Sequence, residues 1–235
     1  MNRSVHLCVA LLLSCLSQAS VSDAASVGSP SGVLRKGQWT MGLKASGVSR
    51  DVTKSDLHAK AELVEGSHFR GFGLTDWLSL YAGVGAAYLG VKNSSVTDSF
   101  GANVALNGQV KSRLWESKRF GVEWDASAQY LFIGAPHRRG SNQANWNEWQ
   151  LASGVAKSFG PLKPYVGAKL SFVNMKFKIR KDNRITQQGT YKADGMVSPY
   201  LGLDWYVGEA ENLVINVEGS FVNNEEVSLG VAYRF

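Results

Sequence analysis

The residues that could do chemistry in this chain are few, and their spacing does not assemble a reactive site. Beyond residue 25 there are three histidines, His58, His68 and His137. His137 has no carboxylate close to it in sequence, so it lacks the partner that would orient a general base. His58 and Glu62 lie four residues apart on a predicted strand, and one such pair is not a metal site. We therefore predict no catalytic, metal-binding or cofactor-binding residues and no enzymatic activity.

One compact basic patch stands out, the loop Pro136-His137-Arg138-Arg139. We interpret His137, Arg138 and Arg139 as candidate contacts for the phosphates of lipopolysaccharide, with a solvated loop as the alternative. The whole chain carries a formal net charge of +6 with 19% charged residues. Without a dense Lys/Arg run, this excess does not indicate nucleic-acid binding. The excess positive charge either suits an anionic lipid surface or has no specific role.

The N-terminal residues predict export. Arg3 precedes an apolar run from Val5 to Leu16, and small residues follow as far as Ala25. This is the pattern of a secretory signal peptide, and the apolar run is too short to span a bilayer as a helix. We place the signal peptide at residues 1–24.

Residues 25–36 are rich in Ser and Gly and predict a flexible leader. Both cysteines, Cys8 and Cys15, lie in the predicted signal peptide, so the remaining chain needs no disulfide bonds. A lipoprotein cleavage site that leaves Cys15 acylated is the alternative interpretation of this region.

From Gln38 onward, apolar residues recur at every second position, which is the period of a β-strand. Ten such segments fill residues 37–235, and the cleanest run extends from Phe120 to Phe132. We predict an all-β fold, a closed antiparallel up-and-down transmembrane β-barrel of ten strands. Eight strands is the alternative if the weak sixth or the seventh strand is misread. In the seventh strand the apolar phase slips after Phe172, which indicates a bulge.

The connections between the predicted strands alternate between short and long. Short turns on one side and long loops on the other are typical of outer-membrane barrels. The last hairpin, at Asn223-Asn224, is an exception because it is short where a long loop is due. The predicted short turns are 73–77, 115–119, 159–163 and 208–212, and the predicted long loops are 50–56, 92–101, 134–145 and 180–192.

A period of two does not by itself say which face points outward, because a soluble barrel shows the same alternation. Aromatic residues are predicted near both ends of the strands, as expected for rings at two membrane interfaces. The predicted ring at the short turns contains Trp39, Phe72, Trp77, Trp115, Phe120, Phe159, Tyr165, Trp205, Tyr206 and Phe235, and the ring towards the long loops includes Tyr88, Tyr130, Phe132, Trp146, Trp149 and Phe172. The polar phase carries many charges, and each would cost about 2–4 kcal/mol facing lipid near the midplane. We therefore predict that these charges line the lumen: Lys44, Lys60, Glu62, Lys111, Arg113, Glu123, Asp125, Glu148, Lys169, Asp204, Glu218 and Arg234.

Two segments resemble the small bacterial outer-membrane β-barrel superfamily, with the architecture of the OmpA and OmpX barrels. The tail Ser228-Leu229-Gly230-Val231-Ala232-Tyr233-Arg234-Phe235 resembles the C-terminal signal of that superfamily, and residues 71–81 resemble its strand, turn, strand unit. The resemblance implies an outer-membrane location with both termini periplasmic. It also implies that the barrel-assembly machinery reads Ser228, Gly230, Tyr233 and Phe235 by edge pairing.

Enzymatic barrels of this class are a poor match. A deacylase barrel of the lipid A type places a His-Ser pair on late strands, and no histidine follows His137. An omptin-like protease needs carboxylates near its histidine, which His137 lacks.

Two functions remain open for a monomeric barrel without cofactors or a nucleic-acid partner. In the first, the lumen is filled by side chains, and the extracellular loops give the protein a structural or surface-interaction role towards lipid, lipopolysaccharide or a partner. In the second, the barrel is a narrow diffusion pore. Ten strands leave an interior well below that of aqueous porins, which favours the first interpretation.

Overall fold

The computed structural model describes residues 32–54, 57–92, 97–134, 142–181, 184–208, 210–222 and 224–235. Ten antiparallel strands form a closed barrel in which each strand pairs with its neighbours in sequence and β1 pairs with β10. This confirms the predicted all-β, ten-stranded barrel. The strands are β1 Trp39–Lys54, β2 Leu57–Gly73, β3 Leu78–Lys92, β4 Thr97–Ser117, β5 Val122–Gly134, β6 Gln143–Lys157, β7 Leu162–Lys181, β8 Arg184–Val207, β9 Leu213–Ser220 and β10 Asn224–Arg234.

The two ends of the barrel differ. We call one the turn end, because it holds the short connections 74–77, 118–121, 158–161 and 208–212. The first and last strands meet there, and the Phe235 amide donates a hydrogen bond to the Trp39 carbonyl at 2.9 Å. The opposite end is the loop end. Among the described residues, no helix is long and apolar enough to cross a bilayer.

The number of strands around the barrel changes with height. The β8–β9 ladder stops at the pair Tyr200 and Ser220, and the β1–β10 ladder stops at Arg50 and Asn224. Beyond the short β9–β10 hairpin, β1 and β8 pair with each other through Thr53 and Lys192. Ten strands therefore enclose the turn end and eight enclose the loop end. The alternative count of eight, which assumed a misread sixth or seventh strand, is wrong for the chain as a whole.

β7 shows how surface polarity changes along a strand. Its outward residues at the turn end include Val166, Leu170 and Phe172, and its inward residues there include Lys169 and Ser171. Past Phe172 the order reverses, because Asn174, Lys176 and Lys178 face outward while Val173, Met175 and Phe177 are buried inside. The alternation of side chains between the two faces continues unbroken. The apolar residues change from the outer face to the inner face, and this change produced the phase slip in the sequence.

The bulge predicted near Phe172 is at the correct height but on the neighbouring strand. Across β7 and β8, Ser171 pairs with Met196 and Val173 pairs with Ala193. Two steps along β7 therefore match three along β8, so the extra residue lies in β8. Gly195 adopts φ of 67° there, a left-handed conformation that glycine accepts without a steric penalty.

The reversal seen in β7 extends around the barrel. Towards the turn end, the outer surface is a band of exposed apolar side chains. On β7 this band runs from Leu162 to Phe172, about 26 Å of height at about 3.4 Å per residue and a tilt of about 40°. A lipid-facing band about 25 Å tall is characteristic of transmembrane barrels. Other members of the band include Met41, Leu43, Leu80, Val84, Leu106, Val110, Leu151, Leu201, Leu203, Leu229, Val231 and Tyr233.

Towards the loop end, the interior is an apolar core and the outer surface is polar. We call this region the protruding half, because its outer face no longer suits lipid. The core includes Leu63, Leu89, Leu131, Ile133, Trp146, Met175, Phe177 and Tyr191, all buried.

This reversal corrects part of the predicted lumen. Lys60 and Glu62 were expected inside, but they lie on the outer face of β2, and Glu62 contacts Lys92 Nζ at 2.7 Å. Ala59, Ala61 and Leu63 occupy the inner face instead. The prediction failed because it assumed that apolar residues face outward at every height.

Three aromatic residues expected in the two interface rings also face inward. Trp146 and Tyr165 are buried. The guanidinium of Arg234 lies over the Tyr206 ring, 5.0 Å from the ring centroid. The rings that do lie on the outer face of the barrel include Trp39, Trp77, Trp149 and Phe172.

The described end of the predicted leader is packed rather than free. Val33 and Leu34 are buried, and the Leu34 amide donates a hydrogen bond to Ser79 Oγ at 2.8 Å. The Lys36 amide donates to Asp76 Oδ1 at 3.1 Å. We call residues 32–36 the strap, because they cross the turn end of the barrel. The flexibility predicted for residues 25–36 stays a prediction, and residues 1–31, with the predicted signal peptide, lie outside the described residues.

Candidate functional site

The interior of the barrel is the candidate site, and its turn-end part is a cluster of paired charges. Arg113 near the end of β4 reaches Glu116 at 3.2 Å and Glu123 at 3.4 Å. The amine of Lys163, the second residue of β7, lies 2.7 Å from Glu123. Arg113 Nε is also 3.9 Å from Asp125 Oδ1. Charges buried in a narrow barrel need such partners, because an isolated ion pays a large desolvation cost.

A second network lies between β7, β8 and β9. The Tyr165 hydroxyl donates to Glu218 at 3.0 Å and accepts from Asn216 Nδ2 at 2.9 Å. Asn216 Nδ2 also donates to Asp204 at 2.6 Å. These side chains come from alternate positions of their strands, so the period of two places all of them inside.

A closing layer crosses the barrel at the height where the surface polarity reverses. Arg50 Nη1 on β1 lies 2.8 Å from Glu148 Oε1 on β6, and both side chains are fully buried. The indole of Trp146 donates to Glu148 Oε2 at 2.9 Å. Lys169 and Glu226 form a second buried ion pair in this layer. We call these five residues the closing layer.

A small cavity lies on the turn-end side of the closing layer. It has a volume of about 110 Å³, which is room for about four water molecules at ~30 Å³ each. Lys44, Lys111, Asp204 and Arg234 line it, and Gly32 and Leu34 of the strap bound it at the turn end. The ammonium of Lys111 lies 4.9 Å from the ring centroid of Tyr81.

Beyond the cavity, the described part of the barrel interior is filled by buried side chains. In the closing layer, the side chains of Arg50 and Glu148 are inaccessible to solvent. Beyond this layer the apolar core fills the protruding half, with Met175 fully buried. An ion entering that core would lose its hydration without finding compensating partners.

The structure places ten of the twelve predicted lumen charges on inward-facing positions, with Lys60 and Glu62 as the exceptions described above. Several interior charges were missed, among them Arg50, Lys163 and Glu226. The signal for them was present, because Arg50 continues the even-numbered inward phase of Lys44 and Ser46. Glu226 likewise continues the phase of Ser228. The inward residues are Lys44, Lys111, Arg113, Glu123, Asp125, Glu148, Lys169, Asp204, Glu218 and Arg234.

The residues of the predicted assembly signal occupy both faces of β10. Ser228 and Gly230 face inward, whereas Tyr233 and Phe235 are exposed on the outer surface with ring centroids 5.0 Å apart. His137, Arg138 and Arg139 lie outside the described residues.

The outer wall of the protruding half carries a cluster of amines. Lys176 and Lys178 of β7 and Lys192 of β8 are exposed on adjacent strands. They lie directly beyond Phe172 and Trp149, which end the apolar band on β7 and β6. We call these three lysines the wall lysines. In the part of the chain that is described, no group of three or more His, Cys, Asp or Glu side chains could hold a metal ion.

Comparison with known proteins returned structures of membrane barrels. The translocator domain of the autotransporter NalP from Neisseria meningitidis is 11% identical, with a TM-score of 0.46 over 86% of this chain and 90% of its own. The attachment invasion locus protein Ail of Yersinia pestis is 10% identical, with a TM-score of 0.42 over 85% and 99%. The outer membrane protease OmpT from Escherichia coli is 10% identical, with a TM-score of 0.43 over 84% and 96%.

No protein-family model matches the sequence, and no curated protein matches it. At these identities and TM-scores, the structural likenesses carry no argument about function. The barrel fold stands on the strand pairing itself.

Proposed function

We propose that the protein spans the bacterial outer membrane as a sealed barrel and acts at the cell surface through its protruding half. The observation that carries this proposal is the filled interior, in which the closing layer and the apolar core follow each other along the barrel axis. A protein that conducts solutes needs a hydrated path, whereas a surface scaffold needs only a rigid wall. The turn end, with the strap and the C-terminus, then faces the periplasm.

The chemistry of the outer wall supports an anionic partner. The wall lysines lie just past the apolar band, at the height of the sugar phosphates of lipopolysaccharide in the outer leaflet. Amines near an anionic surface each contribute about 1 kcal/mol of attraction. The predicted loop contacts His137, Arg138 and Arg139, which lie outside the described residues, remain part of this proposal, as does a non-enzymatic role.

Conductance in planar bilayers tests the sealed interior. The refolded protein should give no steady current steps, while a general porin in the same bilayer supplies the positive control. Reproducible open steps at low voltage would contradict the sealed barrel and restore the narrow pore.

The surface role has a separate test. Lipopolysaccharide added to phospholipid vesicles should raise the temperature at which the barrel loses its folded, fast-migrating form on gels. Changing the wall lysines to Glu should abolish that increase. Changing Lys118, Arg119 and Lys157 at the turn end to Glu makes the same change in net charge and should leave the increase intact. Equal loss in both triple variants would remove the case for the wall lysines.

A further inference from the structure

The apolar band carries one arginine that points towards lipid. Arg70 is exposed on the outer face of β2, two residues from Phe72, whose ring packs against Trp39 with centroids 4.5 Å apart. Among the described residues, the Arg70 guanidinium makes no hydrogen bond or ion pair. A guanidinium facing hydrocarbon is costly unless its long side chain reaches the interface or meets an anion. Arg70 lies close enough to the turn end for its head to reach lipid phosphates.

A groove leads away from Arg70 across the lipid-facing surface. It has a volume of about 580 Å³. Its floor consists of small residues on neighbouring strands, Ala82 on β3, Gly108 on β4 and Ala128 on β5. Two pairs of rings form its ends, Trp39 with Phe72 and Tyr130 with Trp149, the latter with centroids 4.7 Å apart.

The groove runs obliquely across the bilayer. Arg70 pairs with Ala82, Ala82 with Gly108, Gly108 with Tyr130, and Tyr130 with Trp149. Because barrel strands are tilted, this row of partners rises from the turn end towards the loop end. Four strand spacings of about 4.8 Å give a length of about 19 Å, which exceeds the ~15 Å of hydrocarbon in one leaflet.

We propose that this groove binds one phospholipid from the leaflet at the turn end. The phosphate binds to the Arg70 guanidinium, and an acyl chain lies over Gly108 between the two ring pairs. Charge complementarity selects this occupant, because a neutral partner would leave the guanidinium uncompensated. Small floor residues and flanking rings fit a flexible chain better than a flat protein surface.

Two variants separate the headgroup from the chain. Arg70→Ala removes the phosphate contact and leaves the groove open. Gly108→Leu fills the groove and keeps the charge; a Cβ at Gly108 has no atom within 4 Å, so this variant has room to fold. Arg119→Ala is the matched control, because Arg119 is an exposed turn-end cation whose guanidinium lies over Phe120 at 5.4 Å, away from the groove.

Native mass spectrometry of the full chain in mild detergent, titrated with dioleoyl phosphatidylglycerol or dioleoylglycerol, measures the binding. The wild type and Arg119→Ala should each retain one phosphatidylglycerol and prefer it about tenfold over the diacylglycerol, the value of one charged hydrogen bond. Arg70→Ala should lose that preference, and Gly108→Leu should bind both lipids about tenfold more weakly, as expected for loss of buried apolar surface.

Three outcomes would overturn the inference. The first is a wild type that binds no lipid, and the second is an Arg70→Ala variant indistinguishable from Arg119→Ala. The third is a two-chain species that disappears in Gly108→Leu, which would make the groove an interface between copies. None of these outcomes depends on whether the barrel conducts, so the proposed surface function is tested separately.

Discussion

At the scale of single residues, the closing layer contains the most consequential ion pair. Arg50 and Glu148 are 2.8 Å apart and fully buried, and Trp146 and Gln150 donate further hydrogen bonds to the Glu148 carboxylate. The pair Lys92 and Glu62 has nearly the same length, 2.7 Å, but both side chains are exposed. Water screens the exposed pair and not the buried one, so equal distances do not imply equal energies.

These two pairs give a matched prediction. Glu148→Gln should lower the free energy of unfolding by about 3–5 kcal/mol, because it removes the carboxylate that faces a buried guanidinium. Glu62→Gln should change it by less than about 1 kcal/mol. Urea unfolding in lipid vesicles, followed by tryptophan fluorescence, measures both. Similar losses in the two variants would show that the closing layer is hydrated.

At the scale of strands, the sequence predicted which strands exist, and in what order, better than it predicted which face of each strand points into the barrel. All ten strands were recovered, because a period of two together with turn residues marks a strand wherever it lies. The inner and outer faces were assigned correctly in the apolar band and incorrectly in the protruding half, as Lys60 and Glu62 show. Periodicity reports which residues share a face but not which solvent that face meets. Two environments along one strand therefore cannot be separated by pattern alone.

The strap was missed for a related reason. Residues 32–36 have the small and polar composition of a leader, and only their contacts with Ser79 and Asp76 fix them at the turn end. A Cβ on Gly73 would lie 1.9 Å from the Arg35 carbonyl oxygen, so that glycine is required where the strap crosses. Nothing local in the sequence shows such a contact between segments about 40 residues apart.

β7 supplies a test of the reversal at element scale. Met175 is fully buried in the apolar core, and its neighbour Lys176 is exposed. Met175→Ala should cost about 2–5 kcal/mol, the usual effect of truncating a core side chain. Lys176→Ala should remain within about 0.5 kcal/mol of the wild type. The same urea titration decides this, and a small effect of Met175→Ala would mean that this side chain contacts lipid or water instead of a core.

At the scale of the whole molecule, the strand count depends on height. The short β9–β10 hairpin ends below the protruding half, and β1 and β8 close the gap above it. This explains why the last hairpin broke the alternation of short and long connections. A narrower, eight-stranded section leaves an interior that side chains alone can fill, which is consistent with the apolar core.

A disulfide can verify this closure. Thr53 and Lys192 are partners in an antiparallel ladder, so their Cα atoms lie within the range that a disulfide spans. Both side chains are exposed, so an oxidant can reach them. The double variant Thr53→Cys, Lys192→Cys, made in a chain whose Cys8 and Cys15 are replaced, should cross-link under mild oxidation. Thr53→Cys with Lys178→Cys should not. Mass spectrometry of tryptic peptides detects the disulfide. Its absence in the first variant would argue against direct pairing of β1 and β8 beyond the hairpin.

The apolar core beyond the band also determines how stability varies with temperature. Side chains of the band face hydrocarbon whenever the chain is in the bilayer, so their burial changes little hydration. Leu131, Ile133, Trp146 and the rest of the core leave water when the strands close, and that step alone carries the large positive heat capacity of unfolding. The protruding half is therefore the part of the barrel that weakens on cooling as well as on heating.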